Sequence, residues 1–431
     1  MDKIRVVLVG AGSRGSAYTD IMARMPERFE VVAVAEPVES RRNYIKQKHN
    51  IPSDKCFSDW KPLFDLGKIA DMAVIATMDR DHFAPAMRAI ELKYDLMLEK
   101  PIAPTARECR LITESAVNMG VKVVICTVLR YTDIFKGLKN MIDSGKIGKV
   151  MSVNHEECVG NVHQSHSFVR GNWGNSGRSS SMILQKSCHD IAILQWLIGT
   201  KSKKVTSFGS LSYFKEENAP EGAPEYCIDG CPHSGTCPYN AVKLYLDDKE
   251  NMWFRTSCTK EVNPTDEQVE NALRTTQYGK CVYKCDNDVV DHQTVNMFFE
   301  GDVTVTFTMN AFNEGGRFIH IVGTEGEIHA SIDGNNPVEV FNFKTRQKEI
   351  IPLVGSDGVV AGHAGGDDGI ILTLHDYLTG NYSGNSIPEI EESCYSHMIT
   401  LAIEEAREKG CVVDVDEFIK ATGWKINQYS E

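Results

Sequence analysis

The sequence predicts two joined architectures: an α/β unit with a doubly wound parallel sheet, then an α+β unit built on a mostly antiparallel sheet. Three observations carry this. Over residues 4–98, short apolar runs alternate with helical patterns, as in a parallel sheet with crossover helices. A glycine-rich turn, "GAGSRG" at 10–15, separates the first apolar run from the first helical pattern. Much later, "VNMFFEGDVTVTFTMNAF" (295–312) and "RFIHIVGTEGEIHAS" (317–331) alternate residue by residue, the period of strands covered on one face. A chain of 431 residues exceeds one ordinary core, so the reading divides it into domains 1–128 and 129–431, with a Cys-rich insertion around 213–288.

Composition narrows the functional classes. With 42% hydrophobic and 24% charged residues the chain reads as a soluble globular protein, and no apolar run approaches the roughly 18 residues of a membrane helix. The opening "MDKIRVVLVGAG" is too short an apolar run for a secretory signal and reads as a first strand, so a cytoplasmic location is expected. A net charge of -13 argues against a polyanionic partner such as nucleic acid. Thirteen cysteines without a secretory signal read as thiols or metal ligands, not a disulfide framework.

The first elements form a recognisable series. An apolar strand (4–9) is followed by Gly10, Gly12 and Gly15, with Ser13 and Arg14 between them, then a helix over 16–25. A second strand, "FEVVAVAE", ends at Glu36. Glycines for a tight turn and close backbone approach, a helix N-terminus facing phosphate, and an acid after the next strand are the dinucleotide-binding pattern. Glu36 favours the free ribose hydroxyls of NAD over the 2'-phosphate of NADP; Arg41 and Arg42 nearby are the residues that would oppose this. Strands "ADMAVIAT" (70–77) and "DLMLEKP" (95–101) flank a helix at 81–92, and "VVICTVLRY" (123–131) reads as the last strand. Ligands bind beyond the carboxyl ends of such strands. That places Thr77, His82, Glu99 and Lys100 at the cofactor.

These motifs, with "EKP" at 99–101 and "SGKIGKV" at 144–150, make the chain resemble the Gfo/Idh/MocA family, named for glucose-fructose oxidoreductase, inositol dehydrogenase and rhizopine catabolism. The resemblance implies an open second sheet with one face over the nicotinamide, and it implies that Lys100 lies against nicotinamide and substrate hydroxyl, where it relays a proton. It also implies a helix-opening segment D-x-G-x-H-x-x-D. Here that segment reads "QKSCHDIA" (185–192): His189 matches, while Gln185, Ser187 and Ala192 depart from the pattern. Gln185 cannot ionise, so Lys186 is expected to supply the missing charge. His189 is the acid-base candidate, an imidazole having an ordinary pKa of about 6.5. Asp190 reads as a first-turn or orienting residue of the core helix that follows.

Substrate candidates lie in "NVHQSHSFVRGNWGNSGR" (161–178), where His166, Arg170 and Trp173 offer donors and an apolar face suited to polyols. The alternative is an ordered surface loop with Trp173 plugging the core. His292 in "DNDVVDHQ" and His363 in "GHAGGDDG", paired there with Asp367, look similar to a sugar-active branch of the family. In the insertion, "YCIDGCPHSGTCPYNA" (226–241) and "GKCVYKC" (279–285) place Cys227, Cys231, Cys237 and Cys281 as a four-thiolate structural zinc site, with His233 as a spare ligand. An iron-sulfur cluster, suggested by two Cys-Pro steps, and a metal-free loop are the alternatives.

The expected function is an NAD-dependent dehydrogenase that oxidises a secondary hydroxyl of a sugar, glycoside or cyclitol to a ketone, with position 3 of a glycoside the specific candidate. Two alternatives stand beside it: a redox-neutral NAD-dependent glycosidase working by transient oxidation, and a non-catalytic sugar or nucleotide sensor. The family also implies a homo-oligomer.

Overall fold

Residues 3–332, 337–352 and 365–424 are described in a computed structural model. Six parallel strands, β1 (Ile4–Val9), β2 (Phe29–Ala35), β3 (Cys56–Phe57), β4 (Met72–Ile75), β5 (Asp95–Leu98) and β6 (Val123–Ile125), pair in the order β3-β2-β1-β4-β5-β6. The order reverses between β1 and β4, which opens a crevice above their carboxyl ends. Val6, Val7 and Leu8 are all buried, as strands covered on both faces require. The last strand is shorter than its apolar sequence suggests: it stops at Ile125, and Val128–Tyr131 form a 3-10 turn. A helix from far along the chain, Gly366–Leu378, packs Ile370, Ile371 and Leu374 into the same core as Val6, Leu8 and Val124.

Two glycines fix the loop after β1. Gly10 has φ +89°, and a Cβ there would sit 2.6 Å from the Ala76 carbonyl oxygen. A Cβ on Gly15 would lie 2.0 Å from the Gly10 oxygen. Neither position has room for a side chain.

The second sheet has nine strands: β7 (Val150–Cys158), β8 (Ser202–Ser210), β9 (His292–Phe299), β10 (Val303–Asn310), β11 (Gly316–Gly323), β12 (Gly326–Ser331), β13 (Val338–Asn342), β14 (Lys348–Ile351) and β15 (Val413–Asp414). Their order is β14-β13-β12-β11-β7-β10-β9-β8-β15, antiparallel throughout except for the parallel pair β7 and β10. One face buries Val295, Met297, Val305 and Phe307 against Leu194, Leu197, Ile399 and Ile403 of helices Cys188–Ile198 and Ile390–Lys409. The opposite face exposes Phe208, Phe298 and Phe318. The insertion between β8 and β9 buries two small apolar clusters of its own. Among the described residues, no helix is long and apolar enough to cross a membrane.

The glycine loop separates folding from binding. A Cβ on Gly12 would meet only the Arg41 guanidinium, at 3.8 Å. Gly12→Ala is expected to keep the wild-type Tm and weaken NAD binding at least tenfold, whereas Gly15→Ala should lower stability by roughly 1–3 kcal/mol through overpacking. Thermal unfolding with NAD titration checks both; equal behaviour of the two variants would contradict the assignment.

Candidate functional site

The helix Ser13–Ala23 starts from Gly12, which brings no side-chain cap, so the amides of its first turn face the crevice as an anion site. Glu36 is buried below them. One of its oxygens accepts from the Ala11 amide at 2.7 Å and the other from the Val38 amide at 2.8 Å, which shapes the loop and leaves a lone pair on each oxygen. Arg42 donates to the Glu36 carbonyl at 2.5 Å. Arg41 lies over Gly12 at the mouth of the loop.

Four residues assigned to the cofactor, Arg14, Glu99, His82 and Thr77, have hydrogen-bond partners within the protein. The Arg14 guanidinium turns inward to Glu99 at 3.1 Å, to the Tyr18 hydroxyl at 2.5 Å and to Asp367. Glu99 also accepts from Tyr18 at 2.6 Å, so its carboxylate is occupied. His82 is buried, with its ring nitrogens 2.7 Å from the Pro101 carbonyl and 3.1 Å from the Thr77 carbonyl. It clamps the ends of β4 and β5 together. Thr77 sits at that same edge, its hydroxyl donating to the Asp81 carbonyl at 3.0 Å.

Lys100 stands where the crevice meets the second sheet. Its Nζ donates to the Gln185 carbonyl at 2.8 Å, and its amide donates to Glu99 at 3.0 Å. The peptide bond to Pro101 is cis. Behind it, the Ile102 amide donates to His397 Nε2 at 3.2 Å while His397 Nδ1 donates to the Ser393 carbonyl at 2.8 Å. Burial lowers the His397 pKa to about 4, so the ring is neutral, as an acceptor at Nε2 must be. His397 is 295 residues away in sequence, and no local signal identifies it. The thiol of Cys188 lies close enough to feel the Lys100 charge, although burial dominates and pushes it up to about 12.

The side chain of Gln185 is fixed. Its Nε2 donates to the Trp173 carbonyl at 2.7 Å, and its Oε1 lies 2.9 Å from the Ser179 hydroxyl. Ser179 and Ser180 reach the buried carboxylate of Asp79 at 2.7 and 2.9 Å, and Trp173 Nε1 reaches it at 3.3 Å. Trp173 is thus brought to the junction of the two sheets. The sequence singles out neither Asp79, two residues beyond Thr77, nor its serine partners.

Below this lies a buried group of charges. Lys186 Nζ pairs with Glu157 at 3.1 Å, Arg317 bridges Glu157 and Asp190, the latter at 2.9 Å, and His155 Nε2 lies 2.8 Å from Asp190. Burial lowers the Lys186 pKa from its ordinary value, with Glu157 opposing. For Asp190, burial alone would raise the pKa, but Arg317 and His155 together hold it at about 2. His189 occupies the first turn of Cys188–Ile198 and is 5% exposed. Lys100 thus reaches the segment that carries Lys186 and His189, while the Lys186 side chain joins the buried charges.

Other substrate candidates fall elsewhere. His166 is 2% exposed, stacked on Phe254 and hydrogen-bonded to the Tyr245 hydroxyl at 2.8 Å; burial lowers its pKa to about 3, the mark of a core residue. Arg170 is 1% exposed and donates to the Lys280 and Tyr239 carbonyls at 2.8 and 2.7 Å, inside the insertion. His292 is half exposed at the start of β9, facing Asp291 at 2.8 Å, not the Lys100 group. His363 lies outside the described residues.

Because folding lowers the Asp190 pKa, its ionised carboxylate stabilises the protein above about pH 4, and that contribution is lost as pH falls toward about 2. Asp190→Asn, which leaves Arg317 with one buried partner fewer, is expected to cost about 3–5 kcal/mol near neutral pH and to remove this part of the acid dependence. Denaturant unfolding across pH measures both. An unchanged midpoint at pH 7 would contradict the burial of this ion group.

Two descriptions of known proteins match this chain: an oxidoreductase family with NAD-binding Rossmann fold over residues 4–127, and the C-terminal alpha/beta domain of the same family over residues 139–415. YteT of Bacillus subtilis, named as an oxidoreductase, is 24% identical over 87% of this chain and 88% of its own length. An inositol 2-dehydrogenase of Salmonella typhimurium is 28% identical over 47% of this chain and 56% of its own length, so that match spans little more than half of the relative. Among solved structures, a levoglucosan dehydrogenase in complex with NADH and levoglucosan superposes with a TM-score of 0.70 at 16% identity, covering 96% of this chain and all of that one. An oxidoreductase from Agrobacterium radiobacter, in complex with NAD+, L-tartaric acid and magnesium, gives 0.67 at 13% identity, covering 96% and 99% of the two chains. These structures share the fold. With both domains matched in order across most of its length, the chain belongs to the Gfo/Idh/MocA family of oxidoreductases with an NAD-binding Rossmann domain.

Proposed function

We propose that the protein is an NAD-dependent dehydrogenase that oxidises a secondary hydroxyl of a sugar, glycoside or cyclitol to a ketone. The observation that carries the reading is Lys100, just past β5 at the carboxyl edge of a dinucleotide-binding sheet, hydrogen-bonded to the segment 185–189 that also carries His189. The names of the inositol and levoglucosan dehydrogenases among its relatives favour this substrate class.

Bound NAD supplies the hydride acceptor. The protein's part is to remove the hydroxyl proton and orient the carbon. Lys100 keeps one hydrogen bond to the Gln185 carbonyl, which aims its remaining valences into the crevice. In its amine form Lys100 takes the hydroxyl proton and becomes the ammonium that donates to the Gln185 carbonyl; His189 is the second acid-base group of the segment, and Lys186 stays paired with Glu157. Asp79 and its serines hold Gln185, and through it Lys100, in register. Trp173 offers an apolar surface beside this group. For the cofactor, the free lone pairs of Glu36 suit two ribose hydroxyls, and a 2'-phosphate would be set against its carboxylate. The exposed Phe208, Phe298 and Phe318 on the outer sheet face support self-association there.

Incubation with NAD and a panel of free sugars, glycosides and inositols, with NADH and products followed together, tests the reading. NADH in step with a keto product is expected. Cleavage of a glycoside without net NADH would replace it with the redox-neutral reading, which the non-ionisable Gln185 keeps in view. Lys100→Met is expected to lower kcat by about 10²–10⁴-fold with NAD affinity within twofold; unchanged turnover would remove Lys100 from the chemistry.

A further inference from the structure

We propose that Cys227, Cys231, Cys237 and Cys281 bind a four-iron, four-sulfide cluster that staples the insertion together. All four cysteines line one cavity within the insertion, with Arg170 and Tyr283 on its wall. Backbone pairing brings the two cysteine segments together: Tyr226 bridges Lys280, and the Cys281 amide donates to the Glu225 carbonyl at 2.9 Å. Cys285 stands apart, its thiol donating to the Cys281 carbonyl at 3.4 Å. His233 lines the same cavity, its Nε2 facing the Glu221 carbonyl at 2.8 Å.

The spacing of the sulfurs favours a cluster over the single zinc expected from sequence. Tetrahedral zinc at about 2.3 Å from each thiolate needs sulfurs about 3.8 Å apart. Among the described residues, the group of potential ligand atoms that lie within 4.8 Å of one another is His320, Glu327 and His329, so no three of these sulfurs come that close. A cubane holds one thiolate on each of four irons and keeps the sulfurs well apart around its own volume. The two Cys-Pro steps, at 231–232 and 237–238, add a feature common to such ligands.

A second observation is independent of the cysteines. Arg170 is a permanent cation at 1% exposure, and none of its hydrogen-bond partners is a carboxylate. Its Nη2 lies 3.6 Å from Cys227 Sγ, and its Nη1 is buried with no hydrogen-bond partner. A buried cation requires a counter-charge. A cluster carried by four thiolates is a net anion with sulfur acceptors, which answers both the charge and the unpaired N–H.

The test is metal and sulfide analysis of the full chain, produced with added iron and purified anaerobically. The expected result is about four iron and four acid-labile sulfide per chain, with a broad visible absorbance bleached by dithionite. Cys237→Ser and Cys281→Ser should each lose most of the iron, whereas Cys285→Ser should keep it. NAD titration shows whether each variant is folded, and if the serine variants do not fold, the wild-type stoichiometry decides alone. One zinc per chain without sulfide would overturn the proposal, as would metal-free protein whose four thiols react freely. Neither result bears on the dehydrogenase reading, which rests on turnover.

Discussion

One hydrogen bond joins the two halves of this molecule where its chemistry is expected: Lys100 Nζ to the Gln185 carbonyl, at 2.8 Å. Lys100 ends the first sheet's β5, and Gln185 precedes the helix that packs on the second sheet. An amine nitrogen half-buried between two apolar cores must find a partner, and a main-chain carbonyl supplies an acceptor without consuming a titratable group. Most of the polar structure nearby exists to hold the two ends of that bond. His82, Glu99 and His397 fix the Lys100 end; Trp173, Ser179 and Asp79 fix the Gln185 end.

The second constraint is electrostatic. Glu157, Asp190, Lys186 and Arg317 sit together inside the second domain, with His155 hydrogen-bonded to Asp190, and removing any one of the four charged groups would leave an uncompensated buried charge. This group ties β7 and β11 to the start of Cys188–Ile198. It also puts Lys186 in surroundings that loosen its hold on a proton, so one buried network serves both the packing of the helix and the proton affinity of a group beside the site.

Where the determining interactions were local, the sequence was readable. The spacing of Gly10, Gly12 and Gly15, the apolar strand before them and Glu36 after them describe a loop whose geometry is set within a few dozen residues. Arg14 was misread because its partner Asp367 is 353 residues away, and His166 because Tyr245 and Phe254 belong to the insertion. Arg170 looked like a sugar ligand for the same reason. The ion group has a trace in the sequence: His155 and Glu157 share the inward register of β7 with Val153, and polar residues on a core face need partners. The four cysteines that spacing groups line one cavity, and only that cavity separates Cys281 from Cys285.

The central claim is direct hydride transfer to a cofactor held above Lys100. The most direct measurement uses the carbohydrate that yields NADH, prepared with deuterium on the carbon bearing the reacting hydroxyl, and reads the label in the reduced cofactor by NMR. The account predicts one deuterium per NADH formed, on a single face of the nicotinamide. Unlabelled NADH, with the deuterium recovered in water, would contradict it.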